Sequence, residues 1–344
     1  MKKLLLLSAL LIFACSSDDS SDSDNNNNNN NNNNPSNCDV VYLDDNGVTI
    51  KACPNANIGD VGIINGVEYT VADRDLLSFY IDNVLDTSQL CTSRITNMEN
   101  PNFYTSFNDD ISSWDVSNVT TMENMFGWGN LVAFNQDLSY WDVSSVRLMN
   151  EMFESTQSFN SDISNWDVSN VIGMKAMFRS ALSFNQPIGS WDVSSVNDMS
   201  QMFSNTTFNQ PLNDWDTSSV NSMVYMFFNA TFNQPLNDWD TSSVNNMAAM
   251  FNVANNFNQN LSSWDVSNVN NMEAMFRGTT FNQDISDWDT SSVNDMYEMF
   301  YGAIYFNQDI SSWNVSSVSN CRSFSNLSPL TNENTPNFTN CNPN

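Results

Sequence analysis

From Phe107 to about Ser325 the apolar positions recur with a period far longer than that of a single helix or strand. Trp114, Trp141, Trp166, Trp191, Trp215, Trp239, Trp264, Trp288 and Trp313 follow one another at spacings of 27, 25, 25, 24, 24, 25, 24 and 25 residues. A Phe-Asn pair begins seven residues before each Trp, Ile or Leu stands three before it, and Val or Thr two after it. A serine comes next, and then Val, Met, Met and Phe separated by 3, 3 and 1 residues, as in Ser117, Val119, Met122, Met125 and Phe126. All length variation falls between the "MF" of one unit and the "FN" of the next, which marks that stretch as a surface loop.

The pattern predicts two elements per unit. In I-x-x-W-x-V, for example Ile111, Trp114 and Val116, the Trp and the β-branched residue share one face and the residue between them takes the other, as in a short strand. Pro187, Pro211 and Pro235 cannot donate to a sheet ladder, so "FNQ" belongs to the turn before that strand. The serine heading V-x-x-M-x-x-M-F reads as a helix N-cap, with the four apolar residues as one inward stripe. The expectation is an α/β repeat: a solenoid with one short parallel strand and one short helix per 24–27-residue coil. A lone coil cannot bury its Trp, Met and Phe side chains. Stacked coils bury them against their equivalents, at roughly 1.5 to 3 kcal/mol per large side chain. The methionines read as core filler, and the Asn of each "FN" as a buried ladder bonded to turn backbones.

Ahead of the repeats lies a small β-rich segment. "CDVVYLDDNGVTIKAC" has two β-branched runs around Asp44, Asp45, Asn46 and Gly47, a hairpin signal. A four-residue loop there puts Leu43 opposite Val48 and Cys38 opposite Cys53, which makes those two cysteines a candidate disulfide. "GIINGVEYTV" repeats the hairpin around Asn65 and Gly66, and "RDLLSFYIDNVL" has helical spacing. "LCTSRITNM" follows the repeat pattern without its Trp, as a degenerate first coil does.

Composition narrows the chemistry. Asp and Glu outnumber Lys and Arg by 39 to 10, giving a net charge of −29, so the surface repels nucleic acid and anionic lipid. There is no histidine, which removes the commonest general base and zinc ligand. The opening "MKKLLLLSALLIFACSS" is too short to span a bilayer and reads as a signal peptide. "IFAC" resembles a bacterial lipobox, which implies cleavage before Cys15, lipid on its sulfur, and attachment to a membrane by that anchor alone. The "SSDDSSDSD" run and ten asparagines, Asn25 to Asn34, lack apolar surface and form a tether of about 25 Å reach. The acidic run after the cysteine is similar to the export signal of surface lipoproteins in the Bacteroidetes, implying the outer face of an outer membrane. The chain then divides into signal peptide (1–14), lipidated Cys and tether (15–37), N-terminal cap (38–88), degenerate coil (89–106), nine repeats (107–325) and C-terminal cap and tail (326–344).

The unit F-N-Q-[DP]-I-x-x-W-D-V-S-x-V-x-x-M-x-x-M-F resembles the repeat of BspA-like leucine-rich-repeat surface proteins, in the subclass first catalogued from mycoplasmas as a domain of unknown function. The resemblance covers about two thirds of the chain. It implies a leucine-rich-repeat-like right-handed solenoid on a cell surface, with adhesion as a role proposed for some relatives, and it carries over no binding residue. The last unit departs from the pattern, with Asn314 in place of Asp and Cys321 and Phe324 in place of the methionines. Cys321 and Cys341 are therefore a candidate closure of the final cap, leaving Cys91 unpaired or as an alternative partner.

The candidate ligand face is acidic. Asp115, Asp142, Asp167, Asp192, Asp216, Asp240, Asp265 and Asp289 each follow their Trp and are expected in one column on the outer face of a parallel sheet. Asp214, Asp238 and Asp287 stand just before the Trp and thicken it. At ~4.8 Å such neighbours repel by about 0.9 kcal/mol in water, so calcium across coils is one expectation and relief by Ser and Thr hydroxyls and mobile cations the other. A regular column gives every carboxylate the same environment, whereas a catalytic pair needs two, so no enzyme is expected, and no cofactor unless calcium. Two function classes remain: an adhesin or capture module for a protein or glycan, expected to be monomeric, and a structural surface-layer component that self-associates laterally.

Overall fold

The computed structural model describes residues 38–127 and 131–343. The leader, Cys15 and the tether lie outside them. Strands β1 (Val41–Leu43) and β2 (Ile50–Ala52) form an antiparallel pair, and β3 (Val61–Ile64) and β4 (Val67–Val71) form a second. The second hairpin turns through Asn65 and Gly66, both left-handed, at φ 52° and 83°. In the first, Leu43 pairs with Ile50, a register two residues wider than the expected Leu43–Val48 pairing. The reason is Asn46, whose Oδ1 accepts from the N–H groups of Val48 and Thr49 at 2.9 Å and draws both into the loop. Cys38 and Cys53 are disulfide-bonded, with Cα atoms 5.9 Å apart. Helix α1 (Arg74–Asp82) starts on Asp73, whose carboxylate accepts from Leu76 N at 2.9 Å, and buries Leu77 and Ile81. β5 (Leu90–Cys91) pairs in parallel with β4 and leads the chain into the repeats.

The repeats hold neither of the two expected elements in its expected place. Among the described residues α1 is the one α-helix, and no helix is long and apolar enough to cross a membrane. Parallel bridges join successive units one residue before the first methionine, through Asn97, Thr121, Leu148, Gly173, Asp198, Ser222, Asn246, Asn271, Asp295 and Asn320. The ladder continues along M-x-x-M-F: Met149 N donates to Gly173 O (3.0 Å), Glu151 N to Lys175 O (2.8 Å) and Phe153 N to Met177 O (2.9 Å). The expected strand at I-x-x-W-x-V is instead a pair of turns, closed by Trp141 N to Leu138 O and by Val146 N to Val143 O.

The physical reason is that a spacing of three suits a tight turn as well as a helix. Met152 N returns to Met149 O, and then the chain leaves helical space, because the residue two after the first methionine is left-handed in every unit. Asn124, Glu151, Ala176, Gln201, Tyr225, Ala249, Ala274, Glu298 and Ser323 hold φ between 51° and 61° there. Four residues on the backbone turns left-handed again, at Ser155, Ser180, Asn205, Asn229, Val253, Gly278, Gly302 and Leu327. Each non-glycine costs about 1 to 2 kcal/mol there, offset by the ladder bonds the twist makes possible.

Inside, like side chains lie on like. Trp141 and Trp166 are 2° from parallel with centroids 6.4 Å apart, and Phe153 and Phe178 are 3° from parallel at 5.8 Å. The last phenylalanine of one unit also stacks on the first of the next, Phe178 on Phe184 at 3.9 Å. Of the nine indole N–H groups that mark the repeats, eight donate to a carbonyl of the preceding unit, for instance Trp141 Nε1 to Ile111 O (3.1 Å) and Trp239 Nε1 to Leu212 O (2.8 Å), and Trp114 donates to Thr87 O ahead of the first coil. A Trp at this position therefore has a polar as well as an apolar reason to be there.

Both ends of the array are closed. In every later unit, the carbonyls one residue before and one after the first methionine accept from the unit before, as Leu148 O and Asn150 O do. The first unit has no predecessor, and Arg74 of α1 supplies the donors, to Asn97 O at 2.9 Å and to Glu99 O, with Asn100 O at 3.2 Å. At the far end Phe300 and Phe324 meet edge to face, Phe338 packs on Phe324, and Cys321 is disulfide-bonded to Cys341. Cys91, which carries no disulfide, is fully buried, and that burial pushes its thiol pKa up.

Candidate ligand faces of the repeat array

The aspartates after the tryptophans head hydrogen-bonded turns. Asp142 Oδ1 accepts from Ser144 N at 3.1 Å and from Ser144 Oγ at 2.6 Å. The same pair of bonds recurs at Asp115, Asp167, Asp192, Asp216 and Asp240. Asp265 and Asp289 accept from Ser267 N and Ser291 N. The serine expected to cap a helix is thus the donor of an Asx turn. Asn314, which has a carbonyl and no charge, accepts the same two bonds from Ser316. The turn needs an acceptor and not an anion.

Electrostatics agree. The carboxyls of Asp167, Asp216, Asp265 and Asp289 sit below the usual range, first because of the serine hydroxyl and next because of the serine N–H. At Asp265 the neighbouring Asp289 acts in the opposite sense and is the smallest influence. Asp115 is buried, because β2 covers it: Ile50 N donates to Ser113 O, and Ser93 Oγ donates to Asp115 Oδ2. The other seven of the column, with Asp214, Asp238 and Asp287, are exposed. Asp238 accepts from the side chains of Asn213 and Asn237. Among the described residues no three His, Cys, Asp or Glu side chains group as metal ligands.

The Phe-Asn asparagines form a ladder, with Asn160 N donating to Asn135 Oδ1 (2.8 Å) and Asn185 N to Asn160 Oδ1 (2.9 Å). Contrary to expectation it runs along the surface, since each Oδ1 meets a backbone N–H at the rim of the coil. A second Asx turn opens the unit at Asp137, Asp162, Asp284 and Asp309, where the following serine N–H donates at 2.9 to 3.0 Å.

A different face is formed by the M-x-x-M-F ladder. Every Lys, Arg and Glu between residues 107 and 325 lies from two residues before to five after the first methionine of a unit, or Cys321 in the last. Two clusters form among them. In one, Arg179 donates to Glu154 Oε1 and, at 2.5 Å, to Gln201 Oε1, beside Tyr225 and Phe228, whose rings meet at 71° and 5.4 Å. These residues line an open cleft of about 450 Å³ together with Ser180, Ser204 and Asn205. In the other, Arg277 lies 2.8 Å from Glu298 and 5.2 Å from the Tyr301 ring centre. Nearby, the Glu273 carboxyl is pushed up by burial first and by Asp295 and Glu298 next.

Sequence reasoning passed over this face, because its residues follow no repeat pattern. The available signal was their distribution: charges other than Asp are confined to one segment of the unit. These features define a tandem-repeat protein whose invariant residues hold the coils and whose Lys, Arg and Glu share one ladder. The chain belongs to the family described as "Mycoplasma protein of unknown function, DUF285", which matches it three times in tandem, at residues 76–186, 128–237 and 228–338. No curated protein and no solved structure matches it.

Proposed function

We propose that this is a surface-anchored bacterial lipoprotein of the BspA-like type, held by lipid on Cys15 and acting as an adhesin or ligand-binding module through an exposed face of a solenoid. One observation carries the reading. All the Lys, Arg and Glu of the repeats are collected on the ladder face, together with side chains that vary from coil to coil. Stacked repeats need their invariant positions for folding, so variation gathered on one face is free to recognise a partner. The leader sequence and the acidic tether support attachment to the outer face of an outer membrane of the Bacteroidetes type. The chain's net charge of −29 supports a protein or glycan partner and not nucleic acid.

This moves the ligand face from the aspartate column to the ladder. Each aspartate in the column already serves its own turn, and Asn314 serves as well without charge. A panel of matrix proteins and glycans tests the reading, with ladder-face and column variants side by side. Binding is expected to fall in a variant carrying Arg277→Ala and Tyr301→Ala or Arg179→Ala and Tyr225→Ala, and to persist in Asp216→Asn. Calcium-dependent light scattering, lost with several column Asp→Asn changes, would instead support a self-associating surface-layer component.

A further inference from the structure

The cleft at Glu154, Arg179, Gln201, Tyr225 and Phe228 has a composition that selects a ligand class, and we infer that it binds a neutral saccharide. The inference rests on the ladder-face reading and gives that face a first occupant. Volume comes first: about 450 Å³ lies within the ~300 to 1,000 Å³ typical of small-ligand clefts.

Charge comes next. Arg179 is shared between Glu154 Oε1 and Gln201, so the guanidinium is not left as a bare charge for an anion, while the buried Glu154 Oε2 has no hydrogen-bond partner and stands ready to accept one. An anion would also have to approach a chain of net charge −29. What remains is a set of donors and acceptors: four planar groups held in fixed directions, namely a carboxylate, a guanidinium and the Gln201 and Asn205 amides, with two serine hydroxyls beside them. Planar groups of this kind read adjacent hydroxyls in pairs. A pyranose offers such pairs around its rim and a patch of C–H bonds on its face. Tyr225, 38% exposed and braced edge-on by Phe228, offers a ring to that patch.

The backbone adds an independent argument. Gln201 and Tyr225 hold φ of 61° and 56°, a left-handed place whose cost falls on the Cβ of any non-glycine residue alike. The same place in other coils is filled by Asn124, Glu151, Ala176, Ala249, Ala274, Glu298 and Ser323. The fold needs neither a tyrosine nor a glutamine there, so the identity of the side chain at this place is free to serve a ligand.

The test uses the full-length chain in detergent on an array of immobilised neutral di- to tetrasaccharides, with sialylated and sulfated sets beside them. Binding is expected in the neutral set, reduced by about tenfold or more in Tyr225→Ala and in Gln201→Ala. It is expected to be unchanged in Tyr140→Ala, which removes an exposed tyrosine next to Trp141. Alanine occupies the Tyr225 position in three coils, so that variant is expected to melt like the parent, and the melt is recorded alongside. Absence of neutral-saccharide binding, a preference for the acidic sets, or binding that survives Tyr225→Ala overturns the assignment. If matrix-protein binding is then lost on Arg277→Ala with Tyr301→Ala, the ladder-face reading stands and only the saccharide falls. If no ladder-face change alters any binding, both fall.

Discussion

The turn around Asp216 and the ladder around Tyr225 belong to one coil, nine residues apart, and they obey different rules. At the turn, residue identity follows from local hydrogen bonding: the acceptor at 216 and the serine at 218 recur in unit after unit because each solves the same backbone problem. On the ladder the backbone bonds are equally regular, but the outward side chains range from Ala249 to Tyr225 at one position and from Gly278 to Val253 at another. Regular bonding with irregular side chains is what a scaffold offers a ligand. Regular bonding with regular side chains is what holds the scaffold together.

The contrast can be broken first at the core. Trp215→Ala removes a buried ring and the Nε1 bond to Ile188 O, and is expected to cost about 3 to 5 kcal/mol. Because coils contact mainly their neighbours, chemical denaturation is expected to split into two transitions at that point. A single transition with an unchanged midpoint would contradict the stacked core.

Arg74→Ala leaves the open carbonyls of the first coil without their guanidinium donor. A loss of about 1 to 2 kcal/mol is expected, seen by hydrogen exchange as earlier opening of the amides of Met98 and Asn100 than of those in central coils. On the ladder the sign reverses. Val253→Gly relieves a β-branched residue at φ 59°, as Gly278 and Gly302 already do in later coils, and is expected to stabilise by about 1 kcal/mol in urea unfolding.

The smallest effect is at the turn. Asp216→Asn is expected to leave stability at neutral pH within about 0.5 kcal/mol, while Asp216→Ala costs about 1 kcal/mol by losing the acceptor. Because the folded-state pKa values of Asp167, Asp216, Asp265 and Asp289 are lowered, their contribution is in place above the ordinary carboxylate range. It is lost as pH falls through the lowered folded values. Melting temperature is therefore expected to drop from about pH 5 to about pH 2, and to drop less in a variant with these four changed to Asn.

Much of this was legible in the sequence. Period, unit boundaries, the inward Trp, Val, Met and Phe, and the alternation that sends Asp142 outward between Trp141 and Val143 all follow from spacing alone. The course of the backbone did not. Ile111–Trp114, Val116–Val119 and Met122–Met125 are each spaced by three, and a spacing of three does not distinguish a helical turn from a closed tight turn. The left-handed residues that decide the matter include Glu151, Ala176 and Gln201, none of which signals φ above zero. Arg74 was equally silent, because its role depends on which carbonyls the first coil leaves open.

The central claim is that the nine tryptophans that mark the repeats form one hydrogen-bonded column, each indole tied to a backbone carbonyl one turn of the chain earlier. Hydrogen exchange of the Trp Nε1–H groups by nitrogen-15 NMR tests it most directly. Nine indole resonances that persist long after exposed amides have exchanged, and that fade together in denaturant as the stack opens, are the result predicted. Indole protons that exchange as fast as exposed amides in native buffer would contradict it.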